Sequence, residues 1–133
     1  MMTWDEDKIL KLIKEAEEKM KFCYSPYSRI RVVAVVETDK GEFWGVNIEN
    51  ASYGLTVCAE RVAIFNAVSN GARKFKRVLI FSPDVMPFPC GACLQVMSEF
   101  VGEDFEVIIA HKKETRRIEK YKFTELLPKR FEL

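Results

Sequence analysis

The chain has 133 residues, 48% of them hydrophobic, with 21 Lys and Arg set against 20 Asp and Glu for a formal charge of +1. That length suits one domain over residues 1–133 with a single sizeable core, and six glycines with five prolines exclude collagen-like and low-complexity chains. The charge balance gives no global field toward nucleic acid or an anionic membrane.

No apolar run approaches the ~20 residues of a membrane span. The acidic start, Met1-Met2-Thr3-Trp4-Asp5-Glu6-Asp7, lacks a signal peptide's pattern, so a cytoplasmic location is expected. Ile9, Leu10, Ile13, Ala16 and Met20 recur at helical spacing, predicting an amphipathic helix over about 5–22 that Ser25-Pro26-Tyr27-Ser28 breaks. Residues 30–37 and 42–48 are β-rich, and Asp39-Lys40-Gly41 between them predicts a hairpin. Past the loop at 49–55, Ala59, Val62, Ala63 and Ala67 predict a helix over about 57–70, closed by Asn70-Gly71. Residues 78–81 read as a short buried strand. A proline-rich loop at 83–89 then leads to a third helix over about 90–101, ending near Gly102. Two strands, 105–110 and 116–121, are predicted around the turn Lys112-Lys113-Glu114, and a short helix at 124–127 stops at Pro128. This alternation predicts an α/β fold, a three-layer α/β/α sandwich around a central mixed five-stranded sheet. Its first two strands should pair antiparallel, and its third should arrive by a helical crossover.

Four cysteines and one histidine narrow the chemistry further. In a reducing compartment, clustered cysteines point to metal or catalysis rather than to disulfides. Cys90-Gly91-Ala92-Cys93 behind Pro89 is, alone, ambiguous between a dithiol redox pair and half of a zinc site. Cys58 also stands at a predicted helix start, where backbone N–H groups and the helix dipole favour thiolates. Three thiolates leave a tetrahedral zinc one open position, the design of a catalytic site. Glu60 would stand beside such a metal without ligating it and fits a proton carrier. Arg61, one turn past Cys58, can donate to a thiolate and offset the excess negative charge of three sulfurs on one zinc. Cys23, between Phe22 and Tyr24, reads as a packed spare thiol, and His111 as a strand-end residue without assigned function. Taken alone, Asn47 and Glu49 fit a strand end and turn. Lys112, Lys113, Arg116, Arg117, Lys120 and Lys122 form a basic hairpin that reads as a solvated face rather than a nucleic-acid track.

Cys58-Ala59-Glu60 followed by Pro89-Cys90-Gly91-Ala92-Cys93 resembles the zinc nucleoside deaminases. More specifically, Gly45-Val46-Asn47-Ile48-Glu49-Asn50-Ala51-Ser52-Tyr53-Gly54 leading into Cys58-Ala59-Glu60-Arg61 resembles the small homotetrameric cytidine deaminases. The likeness runs from Ser25 to Pro128. It implies one Zn²⁺ per subunit on Cys58, Cys90 and Cys93, with Glu60 as proton shuttle. It further implies Asn47 and Glu49 on the ribose hydroxyls, and the Ala59 N–H and the carbonyl before Pro89 facing the pyrimidine. Tyr53 and Phe131 are implied to complete a neighbouring subunit's pocket. The implied activity is hydrolytic deamination of cytidine and deoxycytidine to uridine and deoxyuridine plus ammonia, in pyrimidine salvage. The implied partners are a nucleoside substrate and three further copies of the chain, with no nucleic acid and no membrane.

Two departures from the family pattern stand out. Ile30 replaces the usual Phe, and Val33-Ala34-Val35-Val36 replaces a Gly followed by small residues, which leaves nucleoside preference open. A deaminase of a modified cytosine nucleoside, such as a blasticidin-S-type antibiotic, is the alternative reading. A non-catalytic zinc-stabilised protein, or a dithiol redox protein using Cys90 and Cys93, is the reading from a different class.

Overall fold

The computed structural model describes residues 4–112 and 115–133. Met1, Met2 and Thr3 of the acidic start, and Lys113 and Glu114 of the predicted turn and basic hairpin, lie outside the described residues. Helix α1 (Glu6–Lys19) begins where the Asp5 carboxylate accepts the Lys8 N–H at 2.8 Å, with Glu6 and Asp7 in its first turn and Lys19 in its last. It tightens into a 3-10 turn at Met20–Phe22, so the predicted helix is one element with a wound-up end.

Strands β1 (Val33–Thr38) and β2 (Gly41–Val46) form the expected hairpin, with Val33 opposite Val46 and Thr38 opposite Gly41. β1 starts later than the predicted 30–37 for a specific reason. The Asn47 amide donates to Ile30 O at 2.7 Å and accepts the Val32 N–H at 3.0 Å, so a side chain takes the bonds a strand partner would make.

Helix α2 (Ala59–Ser69) closes at Asn70, and Gly71 follows in the left-handed region at φ +93°. Then come β3 (Phe75–Ser82), α3 (Gly91–Phe100), β4 (Val101–Lys112), β5 (Arg116–Lys122) and α4 (Phe123–Leu126). β3 starts earlier than the apolar run suggested because Arg77 is ion-paired to Glu37 and, at 3.7 Å, to Glu106 on the flanking strands. β4 likewise starts directly from α3 at Val101, without the break expected near Gly102.

The five strands run in the order β2-β1-β3-β4-β5. β3 and β4 are parallel through α3, and every other neighbouring pair is antiparallel, which makes the sheet mixed as expected. Alternating side chains divide it between two cores. Val33, Val35, Leu79 and Phe81 pack with Ile9, Leu12 and Ile13 of α1. On the opposite face Ala34, Val36, Val78 and Ile80 pack with Ala59 and Ala63 of α2 and Met97 of α3. The result is the three-layer α/β/α sandwich. Among the described residues no helix is long and apolar enough to cross a membrane.

α2 can lie so close to β2 only because residue 45 has no side chain. A Cβ at Gly45 would stand 2.5 Å from Ala59 O and 3.0 Å from Ala63 Cα, and nearer still to Ala63 N. Gly45→Ala is therefore expected to destabilise the fold by about 1–3 kcal/mol, read as a lowered Tm. An unchanged Tm would show that α2 is free to shift.

Candidate active site

The carboxyl end of β3 is where an open α/β sheet places its ligands. Three segments meet there, over the start of α2: the entry to β1, the stretch after β2, and the loop before α3. Together they enclose a cavity of about 270 Å³ whose lining includes Ile30, Asn47, Glu49, Glu60, Met86 and Phe88. The stretch carrying Asn47 and Glu49 is stitched on both sides. Tyr24 N–H donates to Asn47 O at 3.0 Å and Glu49 N–H to Tyr24 O at 2.8 Å, while Ile48 and Val57 exchange two bonds of 2.9 Å. The Glu49 carboxylate accepts the N–H groups of Tyr27 at 3.0 Å and Ser28 at 3.1 Å, together with the Ser28 hydroxyl. The hydroxyl, and then these N–H groups, hold its carboxyl below the ordinary carboxylate range, so it is ionised at neutral pH.

Below this polar wall, two helix starts supply the thiols. Cys58 is the N-cap of α2 and Cys90 the N-cap of α3, and neither makes a side-chain capping hydrogen bond. Cys93 lies in the first turn of α3 and is fully buried. Cys58 Sγ is 4.0 Å from Cys90 Sγ, which is 3.5 Å from Cys93 Sγ, and all three sulfurs lie within 4.8 Å of one another. Sulfurs sharing a tetrahedral zinc with bonds of about 2.3 Å stand about 3.8 Å apart, so the donor set and its spacing fit that ion.

The thiols are electrostatically unequal. The Cys58 thiol is lowered to about 5, first by its hydrogen bond with Cys93 and then by Arg61, whose Nη2 donates to Cys58 Sγ at 3.7 Å and to Thr56 O at 3.3 Å. The same pairing pushes the Cys93 thiol up. Glu60, 4% exposed, is pushed up to about 7, chiefly because burial disfavours its charge. Ala59 opens α2, so its N–H is one that the helix cannot satisfy and it lines the same cavity.

Of the residues marked in the sequence, Cys58, Cys90, Cys93, Glu60, Arg61, Ala59, Asn47 and Glu49 are brought together. Tyr53 and Phe131 are not. They are 74% and 68% exposed, and neither lines this cavity. The Phe131 carbonyl accepts Gln95 Nε2 at 3.5 Å, beside a separate depression of about 550 Å³. Of the two departures only Ile30 reaches the cavity, because Val33 packs beneath α1. Cys23 stays apart from the three thiols, its Sγ 3.4 Å from Val32 O, and burial pushes its thiol up. In the basic hairpin, Arg117 pairs with Glu119 at 2.6 Å and Lys112 with Glu17 at 3.4 Å.

Two contributors were not visible in the sequence. Ser28 signals only a chain break there, yet it holds Glu49. The stretch Val85-Met86-Pro87-Phe88 forms an apolar wall, and its flanking prolines mark a loop without saying which way it faces.

Three clustered thiols that could hold a metal, beside a buried carboxyl in an α/β/α sandwich, fit the class of metal-assisted hydrolytic enzymes. Residues 5–110 match the family described as the cytidine and deoxycytidylate deaminase zinc-binding region. The chain is 43% identical to a cytidine deaminase of Halalkalibacterium halodurans across 90% of this chain and 91% of that protein. A crystal structure of cytidine deaminase from Burkholderia pseudomallei superposes with a TM-score of 0.80 and 37% identity, covering 92% of this chain and 98% of that one. A blasticidin-S deaminase of Bacillus cereus is more distant, at 31% identity over 92% of this chain and 91% of that protein. The chain belongs to the cytidine and deoxycytidylate deaminase family.

Proposed function

We propose that this enzyme hydrolyses cytidine and deoxycytidine to uridine and deoxyuridine with release of ammonia, in cytoplasmic pyrimidine salvage, using one Zn²⁺ per subunit held by Cys58, Cys90 and Cys93. The observation that carries the reading is the buried Glu60 carboxyl on the floor of a nucleoside-sized cavity, two residues from a thiol of the triad. Relatives named as cytidine deaminases, at higher identity than the blasticidin-S enzyme, support the unmodified nucleoside over the antibiotic.

Bound zinc would supply Lewis acidity, making water nucleophilic at neutral pH. Glu60 handles the protons. Its carboxylate accepts one from the attacking water and delivers it to N3 as oxygen bonds to C4. It then moves a second proton to the C4 amine, which leaves as ammonia. A carboxyl raised by burial is suited to both directions of transfer, since neither form is strongly disfavoured near neutral pH.

Asn47 and Glu49 receive the ribose hydroxyls. Glu49 offers a carboxylate already ordered by Ser28 and Tyr27, so little entropy is lost on binding. The Ala59 N–H and the Phe88 carbonyl face the ring's polar edge. Arg61 offsets the negative charge of the three sulfurs.

A homotetramer with shared sites accounts for Tyr53 and Phe131, two exposed aromatics that leave their own cavity open. Phe131→Ala is expected to raise KM several-fold while Tm stays constant, and light scattering should report four chains. A monomer with full affinity would remove the shared site. The activity itself is tested by ammonia release across cytidine, deoxycytidine, cytosine and CMP with a chelator control. Both nucleosides should turn over, and activity confined to the free base or the nucleotide would reject the reading.

A further inference from the structure

The cavity has two apolar walls of different origin, and one charged pair ties them together. One wall is the extended entry to β1, with Ile30 and Val32 lining the cavity; the other is the loop before α3, represented by Val85 and Phe88. Arg31 lies between the two lining residues of the first wall, so backbone alternation turns its side chain away from the cavity. It closes on Asp84, the residue immediately before the second wall. The Arg31 backbone N–H donates to Asp84 Oδ2 at 2.8 Å, Nε to the same oxygen at 3.1 Å, and Nη2 to Oδ1 at 2.9 Å.

This is a forked, two-donor grip with a third bond from the backbone. Asp84 is also fixed at its root, because its own N–H and that of Val85 donate to the buried Ser82 hydroxyl at 3.1 and 3.3 Å. The first wall is anchored independently through the Asn47 amide. The grip therefore fixes the second wall relative to the first, over a stretch without helix or strand of its own.

We propose that the Arg31–Asp84 pair is a positioning device that sets the width of the nucleoside cavity, and with it KM, without touching the reacting atoms. The proposal rests on the nucleoside deaminase reading above. Its reach is confined by topology. Glu60 stands in the first turn of α2, Cys58 caps that helix and Cys90 caps α3, so the proton carrier and the thiols do not depend on the pair, and only the Phe88 carbonyl rides on the wall it holds. A wall displaced by a fraction of an ångström loses its contacts with the ring while the chemistry keeps its geometry. The two side chains are 44% and 26% exposed, so salt weakens the grip, whereas the nucleoside carries no charge for salt to screen.

The test is steady-state kinetics on cytidine for the unaltered enzyme, Asp84→Asn, Arg31→Gln and the double variant, at low and high salt, with zinc content and Tm measured on each. Each single change is expected to raise KM about three- to tenfold with kcat altered less than about twofold. The double variant should be no worse than the worse single one. The rise of KM with salt expected of the unaltered enzyme should flatten in the variants, and zinc content should hold. The exchange Arg31→Asp with Asp84→Arg should recover part of the lost affinity. Unmoved KM in both single variants, additive effects in the double, or kcat falling together with zinc content would each overturn the proposal. An unaltered enzyme inactive on every cytosine nucleoside would instead overturn the functional reading, and this proposal with it.

Discussion

Glu60→Gln is expected to lower kcat for cytidine about 10³-fold or more while zinc stays bound and the fold persists. The amide keeps the volume and most of the polarity of a side chain that is 4% exposed, so packing against α2 and the cavity floor survives. What it loses is the capacity to take a proton from water and return it to N3 and then to the amine. A positioned acid–base group typically contributes 10²–10⁴-fold, and in the proposed mechanism one carboxyl would serve both transfers, which argues for the upper part of that range. Glu60→Asp should fall between the two, because it retains the function and withdraws the group by one methylene. The assay is ammonia release under saturating cytidine, with metal content measured on the same preparation. A Gln variant within tenfold of the unaltered enzyme would mean that another group carries the proton.

Cys90→Ala should abolish turnover by a different route, through loss of the metal itself. The three sulfurs lie within 4.8 Å of one another, and in the proposed site they would be the protein's whole hold on the ion. Removing one leaves a two-thiolate site that loses its ion on gel filtration. Cys23→Ala is the control. That thiol lies against Val32 O, outside the triad, so its removal should leave metal and rate intact. The pH dependence has a defined sign. The metal takes deprotonated ligands, and Cys58, lowered to about 5, is ionised at neutral pH while the Cys93 thiol is held up by the same hydrogen bond. Uptake at neutral pH therefore releases protons, and affinity must fall as pH falls. Zinc retained in full by Cys90→Ala, or lost from Cys23→Ala, would assign the ligands wrongly.

The parts legible in the sequence were those decided locally. The spacing of Ile9, Ile13 and Ala16 marks α1, Asp39-Lys40-Gly41 marks the hairpin, and Cys58 and Cys90 sit at helix starts that turn signals and apolar periodicity both indicate. The parts not legible depend on partners distant in the chain. β1 starts at Val33 because the Asn47 side chain, not a strand, bonds Ile30 O and the Val32 N–H, while the Arg31 N–H turns to Asp84. β3 admits Arg77 because Glu37 and Glu106 face it from both neighbouring strands. Arg31 and Asp84 are 53 positions apart, and no periodicity joins them. Ser28 looked like punctuation and is the hydroxyl that fixes Glu49. For Tyr53 and Phe131 only the family resemblance suggested a role, since an exposed aromatic carries no sign of what covers it.

Deamination of free cytosine nucleosides by a buried carboxyl beside a three-thiol zinc site is the activity proposed for this chain. It is tested most directly by titrating zinc into chelator-stripped protein while following conversion of cytidine to uridine and ammonia. Activity is expected to rise linearly and saturate at one zinc per chain, with uridine and ammonia formed in equal amounts. Full turnover without metal, or a zinc-saturated protein that leaves both cytidine and deoxycytidine untouched, would contradict it.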